Sequence, residues 1–200
     1  MSKTTTYYMA PHSPWTYLGH ARFVAMAKAA GARIDLKPCD MGRVFAASGG
    51  LPLGKRSPQR QAYRLAELAR WSEHLQLPLK PQPTFFPVPP DAAAKLIIAA
   101  RTSLGSDAAL ELAGAIMHGL WADDKNIADD TALAQIATSA GFDGANLIKS
   151  SQTAGVLAEY EKNTDDALAA NVFGAPWYIV DEEAFWGQDR LDFVERALAR

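Results

Sequence analysis

The order of the predicted elements is the feature that most limits what this chain can fold into. The Thr- and Tyr-rich segment from Thr4 to Ala10 predicts a short strand, and the alternating segment from Arg33 to Lys37 predicts a second one. Between them, apolar residues recur with a helical period until Gly31, which is a natural end for a helix. A strand, a helix and a strand within about 35 residues predict a βαβ unit, with a parallel strand pair and a right-handed crossover.

The C-terminal end returns to strand patterns. The segments from Pro176 to Val180 and from Ala184 to Trp186 predict a hairpin that turns at residues 181–183. A last helix is expected up to Leu198, with Asp189 as its N-cap. If the segments between the two ends are set aside, the order βαβ followed by ββα is that of a thioredoxin-like domain.

The middle of the chain predicts helices and loops. The stretch from Met41 to Pro58 has several Gly and Pro residues and no clean period, which indicates a loop with short helical turns. Six prolines between Leu77 and Pro90 exclude a regular helix or a central strand there. Helices are predicted at residues 59–75, 91–102, 107–121, 131–140, 144–150 and 153–170. The sequence therefore predicts an α/β fold, with a thioredoxin-like domain at residues 1–40 and 171–200 and an all-helical insertion at residues 41–170.

A single cysteine, Cys39, limits the chemistry that the chain can perform alone. It excludes an internal disulfide framework, a C-x-x-C dithiol site and a cysteine-rich zinc or iron–sulfur site. The four histidines are scattered without metal-ligand spacing, so no metal is predicted. We expect Cys39 to be a buried bystander at the end of the second strand.

Charge and hydropathy argue against two classes of partner. With 20 basic and 22 acidic residues the formal net charge is −2, whereas nucleic acid binding needs a concentrated basic surface. No apolar run approaches the ~20 residues that span a bilayer, and the N-terminal residues lack the apolar stretch of a signal peptide. We therefore expect a soluble, cytoplasmic protein that binds neither nucleic acid nor membrane.

The start of the first helix is the leading candidate for chemistry. Ser13 is well placed as its N-cap and Pro14 as its first residue. In a thioredoxin-like fold the redox dithiol lies there, and Ser13 and Thr16 stand where its two cysteines would be. A hydroxyl cannot exchange disulfides, but it can donate a hydrogen bond to a thiolate brought by another molecule such as glutathione. On this segment alone, the simpler interpretation of Ser13 as only an N-cap is favoured.

Three further segments offer binding groups, each with a plainer alternative. Pro176 precedes a strand and is expected to be the cis-proline beside which a bound peptide or glutathione pairs, although a simple turn is the alternative. Gln188 and Asp189 would bind the charged end of a ligand, or Asp189 is an ordinary N-cap. Lys55 and Arg56 would hold a substrate carboxylate, or form a solvated surface pair.

Together these segments resemble the 2-hydroxychromene-2-carboxylate isomerase family, which is related to kappa-class glutathione transferases and thioredoxin-like disulfide oxidoreductases. The matching segments follow the family order over nearly the whole chain. They are Ser13–Leu18, Asp40–Val44, Arg70-Trp71 with Leu77–Leu79, Val172–Pro176 and Trp186–Leu191.

The resemblance implies a glutathione site. Ser13 matches the family serine that contacts and activates the glutathione sulfur, and Ala175, before cis-Pro176, would bind glutathione through its backbone. Four consecutive residues match the segment that holds the γ-glutamyl end of glutathione. They are Trp186, Gly187, Gln188 and Asp189.

The segments that would contact the substrate match the family pattern less closely than those of the glutathione site. Lys55 and Arg56 match an Asn-Arg pair that contacts substrate, so only the arginine is retained. Phe45 stands where the naphthalene-pathway enzymes have a substrate-contacting lysine, and Ala10 replaces a usual acidic residue. The proline-rich stretch from Pro81 to Pro90 departs from the family loop that carries a substrate arginine.

The function implied by the resemblance is glutathione-dependent isomerisation in aromatic hydrocarbon degradation. The reaction interconverts 2-hydroxychromene-2-carboxylate and trans-o-hydroxybenzylidenepyruvate, and the enzyme is expected to be a homodimer that binds glutathione and a small aromatic carboxylate. Two alternatives stay open. One is a kappa-like glutathione transferase or peroxidase that acts on other electrophiles, and the other is a thioredoxin-like binding module without catalysis.

Overall fold

The strands form one mixed sheet of four strands in the computed structural model, which describes residues 3–200. β1 (Thr4–Met9) pairs in parallel with β2 (Arg33–Pro38), as the predicted βαβ unit requires. β3 (Trp177–Val180) runs antiparallel to β1, and β4 (Glu183–Trp186) runs antiparallel to β3. The sheet order is β2-β1-β3-β4. The first strand therefore lies inside the sheet, with the parallel strand β2 on one side and the antiparallel strand β3 on the other.

The hairpin between β3 and β4 is tighter than predicted. Asp181 and Glu182 have φ angles of 47° and 70°, and Val180 pairs directly with Glu183. Two residues with positive φ are the geometry of the turns that match the twist of a hairpin. Glu183 is therefore the first residue of β4 and not part of the turn.

The first helix begins where the sequence predicts. α1 (Pro14–Ala29) has Ser13 as its N-cap, with the Thr16 amide donating to Ser13 Oγ at 3.3 Å. Pro14 occupies the first helical position, where its missing N–H leaves no hydrogen bond unmade. Gly31, just beyond the helix, has a φ of 64°, a left-handed conformation that favours glycine.

The segment after β2 was predicted as a loop with short helical turns, and this is wrong for its first half. Met41–Ser48 forms a helix, α2, because Asp40 Oδ1 accepts hydrogen bonds from the amides of Gly42 and Arg43. Gly49 ends the helix with a φ of 75°. An acidic N-cap and a C-terminal glycine therefore bound a short helix, which buries Met41 and Val44 in a small cluster.

The remaining helices lie close to the predicted positions. The proline-rich segment between α3 and α4 is an ordered, irregular stretch, in which Thr84 donates through its amide and hydroxyl to the Asp124 carboxylate. The helices are α3 (Pro58–Leu75), α4 (Asp91–Leu104), α5 (Ser106–Trp121), α6 (Asp130–Ser139), α7 (Gly144–Ser151), α8 (Ala154–Ala169) and α9 (Leu191–Leu198).

The start of α9 differs from the prediction that made Asp189 its N-cap. A short 3₁₀ turn, Gln188–Arg190, precedes the helix, so the chain already turns before Asp189. The Asp189 carboxylate accepts from Arg190 at 2.7 Å instead of from the amides of α9. The extra turn thus removes Asp189 from the capping position.

The main hydrophobic core joins the two parts of the chain. Tyr7 and Leu36 of the sheet and Phe23 of α1 belong to the same buried cluster as Ile97 of α4 and Trp121 of α5. Burial of apolar surface stabilises a fold by roughly 25 cal/mol per Å². The helical segments therefore share a core with the sheet, while the domain boundaries at residues 40/41 and 170/171 stay a prediction.

A smaller cluster lies on the other face of the sheet, since alternate residues of a strand point to opposite faces. It contains Tyr8, Cys39 and Val44, with Trp177 of β3. This cluster fixes α2 against the sheet next to the start of α1. Within residues 3–200, no helix has both the length and the hydropathy needed to cross a membrane.

Candidate active site

One large cleft of about 1220 Å³ opens at the end of the sheet where α1 begins. Its walls come from the start of α1, from α2 and the segment that follows it, from α3, from the proline-rich segment and from the loop before β3. Segments that are distant in sequence therefore meet at the N-terminus of α1, where free amides and the helix dipole favour negative charge.

Ser13 lies in this cleft and has hydrogen-bonding capacity to spare. Its Oγ accepts from the Thr16 amide, and within residues 3–200 its hydroxyl proton has no acceptor. Pro14 has no amide hydrogen and the Thr16 amide is used, so the Trp15 amide is the unpartnered donor of this first turn. A hydroxyl and an amide can thus donate together to an anion placed here.

The loop before β3 brings backbone groups to the same cleft. The Ala175–Pro176 peptide bond is cis, as predicted, and Ala175 lines the cleft. In the described part of the chain, neither the amide nor the carbonyl of Ala175 has a hydrogen-bond partner. The Pro176 carbonyl accepts from the Gly187 amide at 2.9 Å, which ties this loop to the end of β4.

The segment predicted to hold the γ-glutamyl end of glutathione is divided by the structure. Trp186 lines the cleft, with 52% of its surface exposed, and packs edge-on against Phe173 at 4.9 Å between ring centroids. Gly187 and Asp189 do not line the cleft. Gln188 is only 2% exposed, and its side-chain and backbone oxygens accept from the Arg22 guanidinium. The structure therefore brings Trp186 together with Ser13 and Ala175 in the cleft wall, whereas the other three residues do not line it.

The residues predicted for the substrate are also only partly brought together. Phe45 and Arg56 line the cleft. Arg56 donates through Nε to the Leu51 carbonyl at 2.8 Å, which fixes it near the mouth. Lys55 lies exposed at the end of a short 3₁₀ turn and does not reach the cleft wall.

The sequence analysis did not identify Arg60 and Arg64, which line the cleft from α3. Arg64 is only 8% exposed, and its guanidinium lies 5.0 Å from the centre of the Phe86 ring and 5.8 Å from that of Trp121. A signal for this pair was present, because Arg60 and Arg64 are four residues apart within a predicted helix, a spacing that places side chains on one helix face.

His12 lines the cleft beside Ser13 and carries no charge at neutral pH. Its ring stacks on Phe86 with 6.5 Å between centroids, and its Nδ1 is buried without a partner. Burial lowers the pKa of His12 from 6.5 to about 4. Positive charge in the cleft therefore comes from the arginines and not from this imidazole.

The lone thiol of the chain takes no part in the cleft. Cys39 is fully buried, and its Sγ lies 3.9 Å from the Met9 carbonyl oxygen. Burial raises the pKa of the Cys39 thiol to about 12, so that it stays protonated and unreactive. Among residues 3–200, no group of three His, Cys, Asp or Glu residues is arranged to hold a metal ion.

Comparison with known proteins places this arrangement in a family. The sequence pattern of the DSBA-like thioredoxin domain matches residues 7–199. The chain is 30% identical over 199 residues to 2-hydroxychromene-2-carboxylate isomerase of Sphingobium xenophagum, covering 99% of both chains. The chain belongs to the 2-hydroxychromene-2-carboxylate isomerase family. The family resemblance is confirmed, and so is the prediction of an isomerase.

Structural and more distant comparisons agree with this family. The solved structure of a 2-hydroxychromene-2-carboxylate isomerase superposes with a TM-score of 0.83 at 23% identity, covering 98% of this chain and 95% of that one. This likeness confirms the α/β thioredoxin-like fold. Glutathione S-transferase kappa 1 of Caenorhabditis elegans is 22% identical, over 94% of this chain and 87% of its own length.

Proposed function

We propose that this member of the isomerase family interconverts 2-hydroxychromene-2-carboxylate and trans-o-hydroxybenzylidenepyruvate with the help of glutathione. The observation that carries the proposal is the set of groups that line a single cleft. It combines anion-binding donors at Ser13, an unpaired stretch of backbone at Ala175, and the guanidinium of Arg56. A thiolate, a peptide and a carboxylate each find a suitable group there.

The residues present fit glutathione. The free amide and carbonyl of Ala175 can pair with an extended peptide in the manner of an added strand. The Ser13 hydroxyl and the Trp15 amide can both donate to the sulfur of such a peptide. Trp186 and Phe173 border the same end of the cleft and offer apolar surface to its backbone.

Glutathione, held by Ser13, the Trp15 amide and the backbone of Ala175, would supply a thiolate for reversible addition to a conjugated carbon, which turns a double bond into a single bond that can rotate. The chain's own contribution is to hold that sulfur as an anion. Hydrogen bonds from Ser13 and Trp15 and the positive end of α1 favour the thiolate over the thiol. Because Cys39 is buried and protonated, it cannot substitute for glutathione.

The substrate side of the cleft is cationic and aromatic. Arg56 lines it together with Phe45 and Phe86. Guanidinium groups bind carboxylates by charge-assisted hydrogen bonds, and aromatic walls suit a flat bicyclic molecule. The arrangement thus fits an aromatic carboxylate next to the sulfur site.

A kappa-like transferase or peroxidase is the second candidate, because the kappa-class relative and the same sulfur site favour it. Product analysis separates the candidates. The isomerase converts substrate into an isomer of equal mass and leaves free glutathione, while the transferase leaves a conjugate heavier by the mass of glutathione. Mass spectrometry of the reaction mixture therefore tests the proposal, and a stable conjugate as the main product would contradict it.

The proposal includes a role in aromatic hydrocarbon degradation, a cytoplasmic location and a homodimer. These three features rest on the family resemblance. Sedimentation equilibrium of the purified protein tests the last of them, because a homodimer has twice the chain mass of 21.6 kDa.

A further inference from the structure

We propose that Arg64 binds the carboxylate of an aromatic carboxylate ligand at the inner, aromatic end of the cleft. The inference deepens the proposed function and rests on it for the identity of the physiological substrate. Three observations support it. Within residues 3–200 Arg64 has no counter-charge, the carboxylates of the cleft wall are engaged elsewhere, and the guanidinium lies against the aromatic rings of Phe86 and Trp121.

Arg64 is a buried cation without a counter-charge. It is 8% exposed, and its Nη2 is shielded from solvent with no hydrogen-bond partner. Within residues 3–200, no carboxylate lies within 4.0 Å of its guanidinium nitrogens. Burying an unpaired charge is costly, and a bound anion would remove most of that cost. The side chain is therefore set to gain more from an anionic ligand than an exposed arginine would.

The acidic residues of the cleft wall are already engaged elsewhere. Asp40 accepts from the first amides of α2, and Glu67 pairs with Arg70 at 2.5 Å. Burial and the positive charge of Arg56 lower the pKa of Arg64 to about 10. Arg64 remains a cation at neutral pH, in a stretch of wall where positive charge is in excess.

The aromatic frame decides which anion fits. The centre of the Phe86 ring lies 5.0 Å from the Arg64 guanidinium and 6.5 Å from the centre of the His12 ring, and His12 directly precedes Ser13. A ligand whose carboxylate is held at Arg64 can therefore rest its flat body on Phe86, in the same cleft as Ser13. A planar aromatic carboxylate matches this row of groups better than a phosphate or an aliphatic acid.

Arg56 and Arg60 are less suited to this role. Arg56 uses its Nε on the Leu51 carbonyl, and Arg60 is exposed, so water competes for both more than for Arg64. Ion pairs strengthen as water is excluded from them. Arg60 is thus a matched control, because it lines the same cleft one helical turn earlier.

The test compares 2-naphthoate with 2-naphthamide, two flat bicyclic probes that differ in charge, by titration calorimetry without glutathione. The full-length wild-type protein is expected to prefer the carboxylate about tenfold or more. Arg64→Met is expected to abolish this preference while keeping the affinity for the amide. Arg64→Lys should keep part of the preference, and Arg60→Met should keep nearly all of it.

Two results would overturn the inference: equal affinity of the wild-type protein for both probes, or a preference that survives in Arg64→Met. Without ligand, Arg64→Met is also expected to have a melting temperature no lower than that of wild type, because the substitution removes an unpaired buried cation. If Arg64 were purely structural, the substitution would lower the melting temperature. If Arg64→Met does not fold, the wild-type preference and its reduction in Arg64→Lys decide.

The outcome is separable from that of the proposed function, because the binding test needs neither turnover nor glutathione. An Arg64-dependent preference without isomerisation upholds the carboxylate site and rejects the reaction. Isomerisation with an unchanged KM in Arg64→Met upholds the reaction and rejects the site.

Discussion

The Thr16 amide donates a hydrogen bond to Ser13 Oγ at 3.3 Å, so the hydroxyl that faces the cleft also caps α1. The two roles are compatible because the cap uses the oxygen as an acceptor and leaves its proton free. Stability and turnover must therefore be measured separately in any variant at this position.

Ser13→Ala is expected to lose about 1 kcal/mol of stability and about a hundredfold in glutathione-dependent turnover. The first loss comes from the cap and the second from the missing donor to the thiolate. Ser57→Ala is the matched control, because Ser57 caps α3 through the same contact, with the Arg60 amide at 3.4 Å, and lies outside the cleft wall. If the two variants have similar melting temperatures and Ser13→Ala loses no more turnover than Ser57→Ala, then Ser13 is only a helix cap.

Cys39 is expected to resist thiol reagents in the native protein and to react fully in urea. Its burial holds the pKa of the thiol at about 12, so almost no thiolate is present near neutral pH. Absorbance with an aromatic disulfide reagent measures the reaction. Cys39→Ala should keep glutathione-dependent turnover, and loss of turnover in a folded Cys39→Ala protein would show that the chain uses its own sulfur.

Gly174→Ala is expected to weaken glutathione binding about tenfold while the fold is kept. A Cβ at Gly174 would collide with the indole Nε1 of Trp186, so the ring must leave its place in the cleft wall. Calorimetry with glutathione measures the effect. Gly155→Ala in α8 is the control, since nothing lies within 4 Å of its added Cβ, and unchanged affinity in Gly174→Ala would exclude Trp186 from the glutathione site.

The protein is expected to lose stability as the pH falls from about 6.5 to about 4. Burial lowers the pKa of His12 and His20 to about 4, so in this window the unfolded chain binds protons that the native state refuses. Each histidine lowers the free energy of unfolding by at most ~1.4 kcal/mol for each pH unit of acidification. This loss is absent above the pKa of histidine in the unfolded chain.

Urea unfolding at several pH values measures this dependence. His20→Asn should flatten the decline between pH 6.5 and 4. An equally steep decline in His20→Asn and the wild type would contradict the assignment.

Much of the scaffold could be predicted from the sequence because its signals are local. Ser13 and Pro14 define the start of α1 by capping. The cis bond before Pro176, by contrast, was expected from the thioredoxin-like order of elements and not from its local sequence. The helix α2 was missed because the Gly and Pro residues that follow it favour a loop, whereas the Asp40 cap and the burial of Met41 and Val44 hold it as a helix.

The wall of the site could be predicted only in part, because burial depends on contacts that are distant in sequence. Gln188 is engaged by Arg22, 166 residues away, and no local pattern announces that pairing. Likewise, the environment of Arg64 is made by Phe86 and Trp121, which come from two other segments. The four-residue spacing of the arginines indicates a shared helix face, but only the folded chain shows which of them is buried.

The initial rate of 2-hydroxychromene-2-carboxylate conversion, with and without glutathione, tests the central claim most directly. The change in absorbance as the ring-opened product forms gives this rate. We expect glutathione to accelerate the conversion saturably in the wild-type protein and in Ser57→Ala, and to have almost no effect in Ser13→Ala. A wild-type rate that is independent of glutathione would contradict it.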